Sequence, residues 1–267
     1  MAIDGTKIID SDCAFDVYNP IMEMYHFGES IENIRAKTDK FITNFDDALS
    51  QEIATTVYAL AMWEIGGMTE KQLESIKNIA SNGASDIWND IAPNAQKSRQ
   101  KNLDRLVSKL GQPNLKIKKR KDYKTATEFI FLPEEVFLIQ FADKTFGAVI
   151  LISTFQEGRT LYYAFAELVL DKLTLDTKEK PTLEDVIWFS KVRARINLGF
   201  DSIKTVSHKK LLTFKDKFEK IGSIKIKQNV KMLGSMSGDV YTFDEFCDHS
   251  DKGKGKMKNL HDLLEIE

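Results

Sequence analysis

Cysteine and proline are scarce in this sequence, and long apolar runs are missing from it. With five prolines and 14 glycines among 267 residues, the chain is neither collagen-like nor a flexible linker. Its two cysteines, Cys13 and Cys247, are too few for a disulfide framework, which favours a reducing compartment. The longest uncharged apolar run, residues 145–156, is shorter than the about 20 residues that cross a bilayer. No basic segment followed by an apolar stretch opens the chain, so we expect no signal peptide, no membrane partner and a cytoplasmic protein.

Patterns that carry catalysis or metal binding are also missing from the sequence. The four histidines stand outside the H-E-x-x-H and C-x-x-C spacings that hold metals. The Gly-Ser-Met-Ser-Gly run at 234–238 has methionine at the position where a nucleophile elbow needs serine. The Asp-His-Ser run at 248–250 contains the residue types of a catalytic triad, but triads are assembled in space and not from adjacent residues, so this run does not indicate one. The Gly-Lys-Gly-Lys run at 253–256 lacks the strand and helix of a phosphate-binding loop. We therefore expect no metal, no cofactor and no enzyme; an enzyme with a site built from scattered carboxylates is the alternative.

Charge is distributed unevenly along the chain. Residues 1–92 carry 16 acidic and 6 basic residues, a net charge of −10. Residues 93–267 carry 24 acidic and 32 basic residues, a net charge of +8. Such a split can steer a partner of opposite sign, or the two stretches can neutralise each other within the fold. Both interpretations stay open at this point.

Apolar periodicity predicts an acidic helical domain over residues 1–112. Ser11 or Asp12 is placed to cap a first helix, and Pro20 inside it should produce a kink. The segment from Leu49 to Ile65 is apolar nearly all round, which is typical of a central buried helix, and we expect Trp63 within it to lie in the core. Further helix signals are a capping box at Thr69 to Gln72 and Pro93, which suits a first helical position.

Residues 128–250 are predicted to form an antiparallel β-rich domain with one or two short helices, which makes the fold class α+β. Runs rich in Val, Ile, Phe and Tyr with short polar connections indicate hairpins. These runs are 136–141, 146–152 and 161–170; weaker strands are expected near 203–206, 223–226 and 240–243, and a helix after the capping signal at 182–185. Residues 113–127 form a basic junction, and 251–267 is predicted to be a basic flexible tail with a terminal helix.

Two groups of charged residues are candidates for binding. Lys118, Lys119, Arg120 and Lys121 lie in a basic run that could hold phosphates, but few aromatic residues accompany it and no nucleic-acid module surrounds it. A solvated junction or a contact with the acidic stretch is therefore favoured over nucleic-acid binding. Asp12 and Asp16 stand one helical turn apart, as paired acid–base carboxylates can, although a cap followed by a carboxylate near the positive helix end explains them more simply.

Two segments of the β-rich half carry a family resemblance. Residues 136–149 comprise a strand, a short turn containing Asp143, an aromatic–Gly pair and a second strand, and residues 218–222 place an aromatic residue before Ile-Gly. Through these segments, residues 125–230 resemble the immunity protein 26 family of bacterial polymorphic-toxin immunity proteins. The chain departs from that family at Glu134-Glu135, where a Gly-Asp pair is common, and at Phe218, where Trp is typical. The first half resembles a small bacterial helical domain of unknown function through Gly5, the Asp12 to Asp16 run with Asp12 as a cap, and Trp63.

The resemblance implies a non-catalytic protein that neutralises a toxin by binding it. Because charge complementarity speeds encounter and sets specificity, an acidic helical half would suit a basic partner such as a nuclease domain. The oligomeric state stays open. The candidate contacts are the acidic residues Asp12, Asp16, Asp39, Asp46 and Asp47.

Overall fold

The chain divides into two compact units, residues 1–124 and 125–267. The computed structural model describes residues 3–170, 179–195, 199–200, 203–227, 236–247 and 256–265. The first unit is helical and the second is a mainly antiparallel sheet with short helices, so the predicted α+β class is confirmed. No helix within these described ranges is long and apolar enough to cross a membrane.

Six helices form the described part of the first unit. They are α1 (Asp12–His26), α2 (Ile31–Ile42), α3 (Ala48–Glu64), α4 (Glu70–Asn82), α5 (Trp88–Ile91) and α6 (Ala95–Leu110). The Ser11 side chain accepts a hydrogen bond from the Ala14 N–H and caps α1, so Asp12 is the first helical residue and not the cap. The predicted capping box at Thr69 and Gln72 is confirmed, since each side chain bonds the other residue's backbone N–H.

The core of the helical unit is built around α3. Its buried residues cover nearly the whole circumference of the helix, as the sequence predicts. Trp63, however, is only partly buried and lies at the edge of a smaller cluster with α6. Its indole N–H donates to the Gln112 carbonyl at 3.0 Å, and the Lys109 ammonium lies 4.8 Å from the ring centroid. The prediction that Trp63 is a core residue was therefore wrong, because the polar edge of the ring finds its partner at the surface.

Two further helix predictions need correction. Pro93 precedes the N-cap Asn94, whose φ is 61°, and α6 begins only at Ala95. The single turn α5 went unpredicted because four residues carry no detectable period. Pro20 lies within α1, as expected, on its exposed side.

The described part of the second unit is a mainly antiparallel sheet with short helices. The strands are β1 (Glu135–Gln140), β2 (Phe146–Glu157), β3 (Thr160–Leu170), β4 (Ser190–Arg195), β5 (Gly199–Phe200), β6 (Ile203–Ser207), β7 (Phe218–Ser223), β8 (Met236–Asp239) and β9 (Lys256–Asn259). The helices are α7 (Leu183–Phe189), α8 (His208–Phe214) and α9 (Phe243–Cys247). The main order is β5-β4-β3-β2-β1-β7; β6 pairs with β3, β8 runs parallel to β6, and β9 pairs with β4.

Both faces of the long hairpin strands are buried, as their apolar character predicts. One face packs against α7 and the 3-10 turn Leu260–Leu263, through Val186 and Leu260. The other face, which we call the aromatic face, packs against α8 and α9. Its centre is Phe165, whose ring lies 5.4 Å from that of Phe246 on α9. The capping box predicted for α7 is confirmed at Thr182 and Asp185.

Several predicted strands in this unit are displaced. The strand expected near 223–226 lies earlier in the chain, at Phe218–Ser223, because these are the residues that pair with β1. The strand expected near 240–243 does not form: β8 ends at Asp239, residues 240–242 are irregular, and α9 begins at Phe243. The expected terminal helix is instead β9 followed by a 3-10 turn, since antiparallel pairing with β4 outweighs local helix propensity. Strand β4 and helix α8 went unpredicted. The runs at 234–238, 248–250 and 253–256 lie wholly or partly outside the described residues.

Candidate functional site

The structure brings acidic residues of two helices together. The Cys13 thiol in the first turn of α1 lies 3.9 Å from the Ser50 carbonyl in the first turn of α3. Burial first, then the carboxylates of Asp16 and Asp47, raises the pKa of Cys13 to about 11. Asp16 and Asp47 therefore lie near the same buried thiol, although 31 positions separate them in the sequence.

The remaining acidic candidates occupy two different places. Asp12 and Asp46 are exposed, and each is next to this pair in the chain, at the first turn of α1 and just before α3. Asp39 lies elsewhere, on α2, where its carboxylate and burial raise the pKa of the Tyr58 phenol, with burial the larger cause. Tyr58 is about three helical turns along α3 from Asp47. Asp39 is thus separate from the other four.

Asp47 also has a structural role, as the N-cap of α3. Its carboxylate accepts a hydrogen bond from the Ser50 N–H at 2.8 Å and caps α3. Hydrogen bonds from Ser50 hold the pKa of Asp47 below its usual value. Removing this carboxylate would therefore weaken α3 as well as the surface charge.

Aromatic residues stand close to these carboxylates in the chain. Phe15 lies between Asp12 and Asp16 on the outer side of α1 and is 44% exposed. Phe41, at the end of α2, is 42% exposed and packs edge-on against Phe45, with ring centroids 5.5 Å apart. We call this set the acidic–aromatic surface; its members are Asp12, Phe15, Asp16, Phe41, Phe45, Asp46 and Asp47. The aromatic members were not among the contacts predicted from the sequence, although Phe15 stands three positions after Asp12, about one helical turn away.

The uneven distribution of charge along the sequence does not produce a difference in net charge between the two units. Residues 1–124 contain 17 basic and 18 acidic residues, and residues 125–267 contain 21 and 22, so each unit has a net charge of −1. Within the helical unit, Glu64 contacts the ammonium groups of Lys109 at 4.0 Å and Lys118 at 2.9 Å. The acidic helices are therefore balanced by α6 and by the basic run of the same unit, and the acidic–aromatic surface is a local feature.

Residues 114–124, which we call the basic strap, pack on the helical unit. The Lys118 N–H donates to the Glu64 carbonyl at 2.8 Å, and its ammonium also donates to the Tyr18 hydroxyl at 2.6 Å. In return, the Tyr25 hydroxyl donates to the Lys118 carbonyl at 2.7 Å. The Arg120 guanidinium lies 5.1 Å from the centroid of the Tyr25 ring. Two of the four candidate phosphate contacts are thus engaged with α1 and α3.

His26 holds the end of the basic strap. Its Nδ1 accepts from the Lys121 N–H at 3.2 Å, and its carbonyl accepts from the Tyr123 N–H at 2.7 Å. Burial, and then the charges of Lys121, Lys118 and Arg120, lower the pKa of this histidine. Lys119 is exposed, and the Lys121 ammonium lies 5.9 Å from the Tyr123 ring centroid.

A buried ionic network fixes the interior of the helical unit. The fully buried Arg99 guanidinium donates to Glu52 at 2.8 Å, to the Lys7 carbonyl at 2.8 Å and to the Thr56 hydroxyl at 3.0 Å. It also lies 4.9 Å from the Trp88 ring centroid. Burial lowers the pKa of Arg99, and the Glu52 carboxylate opposes that shift. The network joins α3, α5, α6 and the N-terminal segment, and no sequence motif indicated it.

Among the described residues, no group of three or more His, Cys, Asp and Glu side chains is arranged to hold a metal ion. The chain matches no family model, no curated protein and no solved structure.

Proposed function

We propose that this protein is a non-catalytic binding protein of the immunity type, which neutralises a toxic bacterial protein domain in the cytoplasm by direct contact. The observation that carries the proposal is the acidic–aromatic surface, in which exposed carboxylates in the first turns of α1 and just before α3 stand within six positions of the exposed rings of Phe15 and Phe41. Its chemistry suits a partner with a basic surface, such as a nuclease domain that must hold phosphates.

The two residue types of this surface have different roles in binding. Exposed carboxylates steer a basic partner and raise the association rate, with little effect once the complex has formed. Phe15 and Phe41 offer apolar area that becomes buried on contact, which slows dissociation. Because the helical unit is nearly neutral overall, steering depends on this local cluster and should respond to the reversal of single charges.

The first test is a pull-down with the products of neighbouring genes, followed by association kinetics. Reversing two charges with Asp16→Lys and Asp46→Lys should lower the association rate by about tenfold at low salt, and by much less at high salt. Glu74→Lys, at an exposed position on α4, is the control for each single reversal, since it makes the same charge change as Asp16→Lys or Asp46→Lys alone. Phe15→Ala should instead raise the dissociation rate, by about fivefold or more. Asp47 is left unchanged because it caps α3.

Two results would overturn the proposal. One is the absence of any binding partner among the neighbouring products. The other is an association rate that responds equally to Glu74→Lys and to the Asp16 and Asp46 reversals.

Nucleic-acid binding by the basic strap is the alternative function. A low-salt gel shift would support it if the shift disappeared when Lys118, Lys119, Arg120 and Lys121 were changed to alanine. The shift would also have to persist when exposed lysines of α6, Lys97 and Lys101, were changed.

A further inference from the structure

A cavity of about 650 Å³ lies on the aromatic face of the sheet in the second unit. Its base is formed by β2 and β3, where Val149 and Glu167 are paired across the two strands. Phe141 of the β1–β2 connection and Phe246 of α9 line it, and most of the other described lining residues are apolar as well. Pockets of about 300–1,000 Å³ with mostly apolar linings and a few polar groups are typical of small-molecule sites.

The position of the cavity follows from the strand pattern. Phe165, Glu167 and Val169 alternate along β3 and share the aromatic face. Phe246 packs against Phe165 and covers it, whereas Val169, further along the strand, is 41% exposed. The aromatic cover therefore stops short of the end of β3, and the cavity lies beyond it.

Gly147 shapes the wall formed by the β1–β2 hairpin. A Cβ atom at this position would lie 2.6 Å from the Phe141 ring, closer than such atoms approach. The glycine therefore lets the Phe141 ring lie directly against the strand.

The charged residues of the described lining balance one another. Two carboxylates line the cavity, those of Asp143 and Glu167. Two cations line it as well, those of Arg193 and Lys204, so the formal charges sum to zero. Each of the four residues has interactions of its own within the protein. In addition, Asp143 accepts two hydrogen bonds inside the hairpin turn, at 3.0 and 2.6 Å, and the Lys204 ammonium donates to a backbone carbonyl of α9.

This balance decides which ligands the cavity favours. A charged ligand would lose hydration on entry without gaining a counter-ion, because the charged residues of the described lining already have partners. A neutral ligand with an apolar body loses little hydration and is driven in by the burial of its apolar area. The thiol of Cys247 adds no charge, since burial raises its pKa to about 11 and it is protonated at neutral pH.

We propose that this cavity binds an uncharged organic molecule with an aromatic or aliphatic body. The body packs against Phe141, Phe246 and Val149, while the charged residues of the lining keep the partners that they already have. This function lies in the β-rich unit and is separate from partner binding by the acidic–aromatic surface, so either can fail without the other.

The test uses three probes that share one body and differ in charge. Phenylbutanol is neutral, phenylbutyrate is anionic and phenylbutylamine is cationic at neutral pH. Saturation-transfer NMR on the full chain gives the Kd of each probe, or a lower limit for it. We expect phenylbutanol to bind with a Kd of about 1 mM or below, and each charged probe to bind at least about tenfold more weakly. Saturable phenylbutanol binding that is missing up to about 5 mM would refute the site, and equal affinity for a charged probe would refute the charge preference.

A single substitution in the lining tests charge balance as the cause of this preference. Glu167→Gln removes one carboxylate at nearly constant shape and leaves an excess of one positive charge. Phenylbutyrate should then bind about fivefold more tightly than it binds the unaltered chain, while phenylbutanol should bind as before. Glu184→Gln is the matched control, since this exposed residue of α7 is not part of the described lining, and it should alter neither affinity. An unchanged affinity of Glu167→Gln for phenylbutyrate would contradict the argument from charge balance.

Filling the cavity separates this site from general hydrophobic binding. Val169→Trp places an indole at the half-exposed rim and should abolish phenylbutanol binding. Leu212→Trp makes a comparable change at a 47% exposed position of α8 outside the described lining and should not. Circular dichroism confirms that each variant is folded. Equal binding of phenylbutanol to Val169→Trp and to the unaltered chain would place the probe elsewhere and overturn the proposal.

Discussion

The buried pair of Arg99 and Glu52 offers the sharpest test of how the helical unit is held together. The substitution Arg99→Met keeps much of the apolar stem and removes the guanidinium. Glu52 would then keep hydrogen bonds from the Ser85 N–H at 3.0 Å and the Trp88 indole at 3.2 Å, with no cation beside it. Its carboxylate would be charged and buried, which is the costly outcome of breaking such a pair.

The expected loss follows from burial. Arg99 is fully buried and Glu52 is 7% exposed. Removing one partner of a buried pair costs about 3–5 kcal/mol, whereas removing one partner of an exposed pair costs below about 1 kcal/mol. Lys37→Met provides the matched exposed control, because Lys37 contacts Glu29 at 2.7 Å with a side chain that is 60% exposed.

Urea unfolding followed by circular dichroism at the helical wavelength measures the loss. The double variant Glu52→Gln with Arg99→Met should recover part of it, because no buried charge is then left without a partner. A loss below about 1 kcal/mol in Arg99→Met, equal to that of Lys37→Met, would refute the reasoning.

Three further predictions concern the same unit. Because burial and the strap cations lower the pKa of folded His26, stability should fall as pH drops below about 6.5, and His26→Gln should flatten this dependence in thermal unfolding. Gly66→Ala should cost about 1–2 kcal/mol in urea unfolding, since Gly66 has φ +76° and an added Cβ would lie 2.8 Å from Ile117; an unchanged midpoint would contradict this. Thr69→Ala should remove about 1 kcal/mol by breaking the capping box, and Thr69→Ser should restore most of it.

Local signals in the sequence predicted the parts of the fold that depend on local chemistry. The capping boxes at Thr69 and Thr182 were placed correctly because their partners stand three residues away. The buried character of α3 and the apolar hairpin strands followed from composition and period. Strand β9 was missed because its conformation depends on pairing with β4, more than 60 positions earlier in the chain.

The candidate site was predictable only in part. Asp12, Asp16, Asp46 and Asp47 could be named as acidic candidates from the sequence, but their grouping depends on α1 and α3 meeting at their first turns. The Arg99–Glu52 pair spans 47 positions and belongs to no motif, so no local pattern could indicate it. The charge count along the sequence suggested an acidic half. In the fold, the basic residues of α6 and of the basic strap belong to the same unit as the acidic helices, so the helical unit is nearly neutral.

The pairing of β9 with β4 has a consequence for synthesis on the ribosome. All the residues of the helical unit have been made once Lys124 is added, so this unit can fold early. The edge of β4 at Lys191–Ala194 gains its partner only after Asn259 has been added. At about 5–20 residues per second, synthesis of the chain from Ala194 to Asn259 takes roughly 3–13 s. During it, the nascent sheet presents an unpaired backbone edge, which is a natural place for a chaperone to bind.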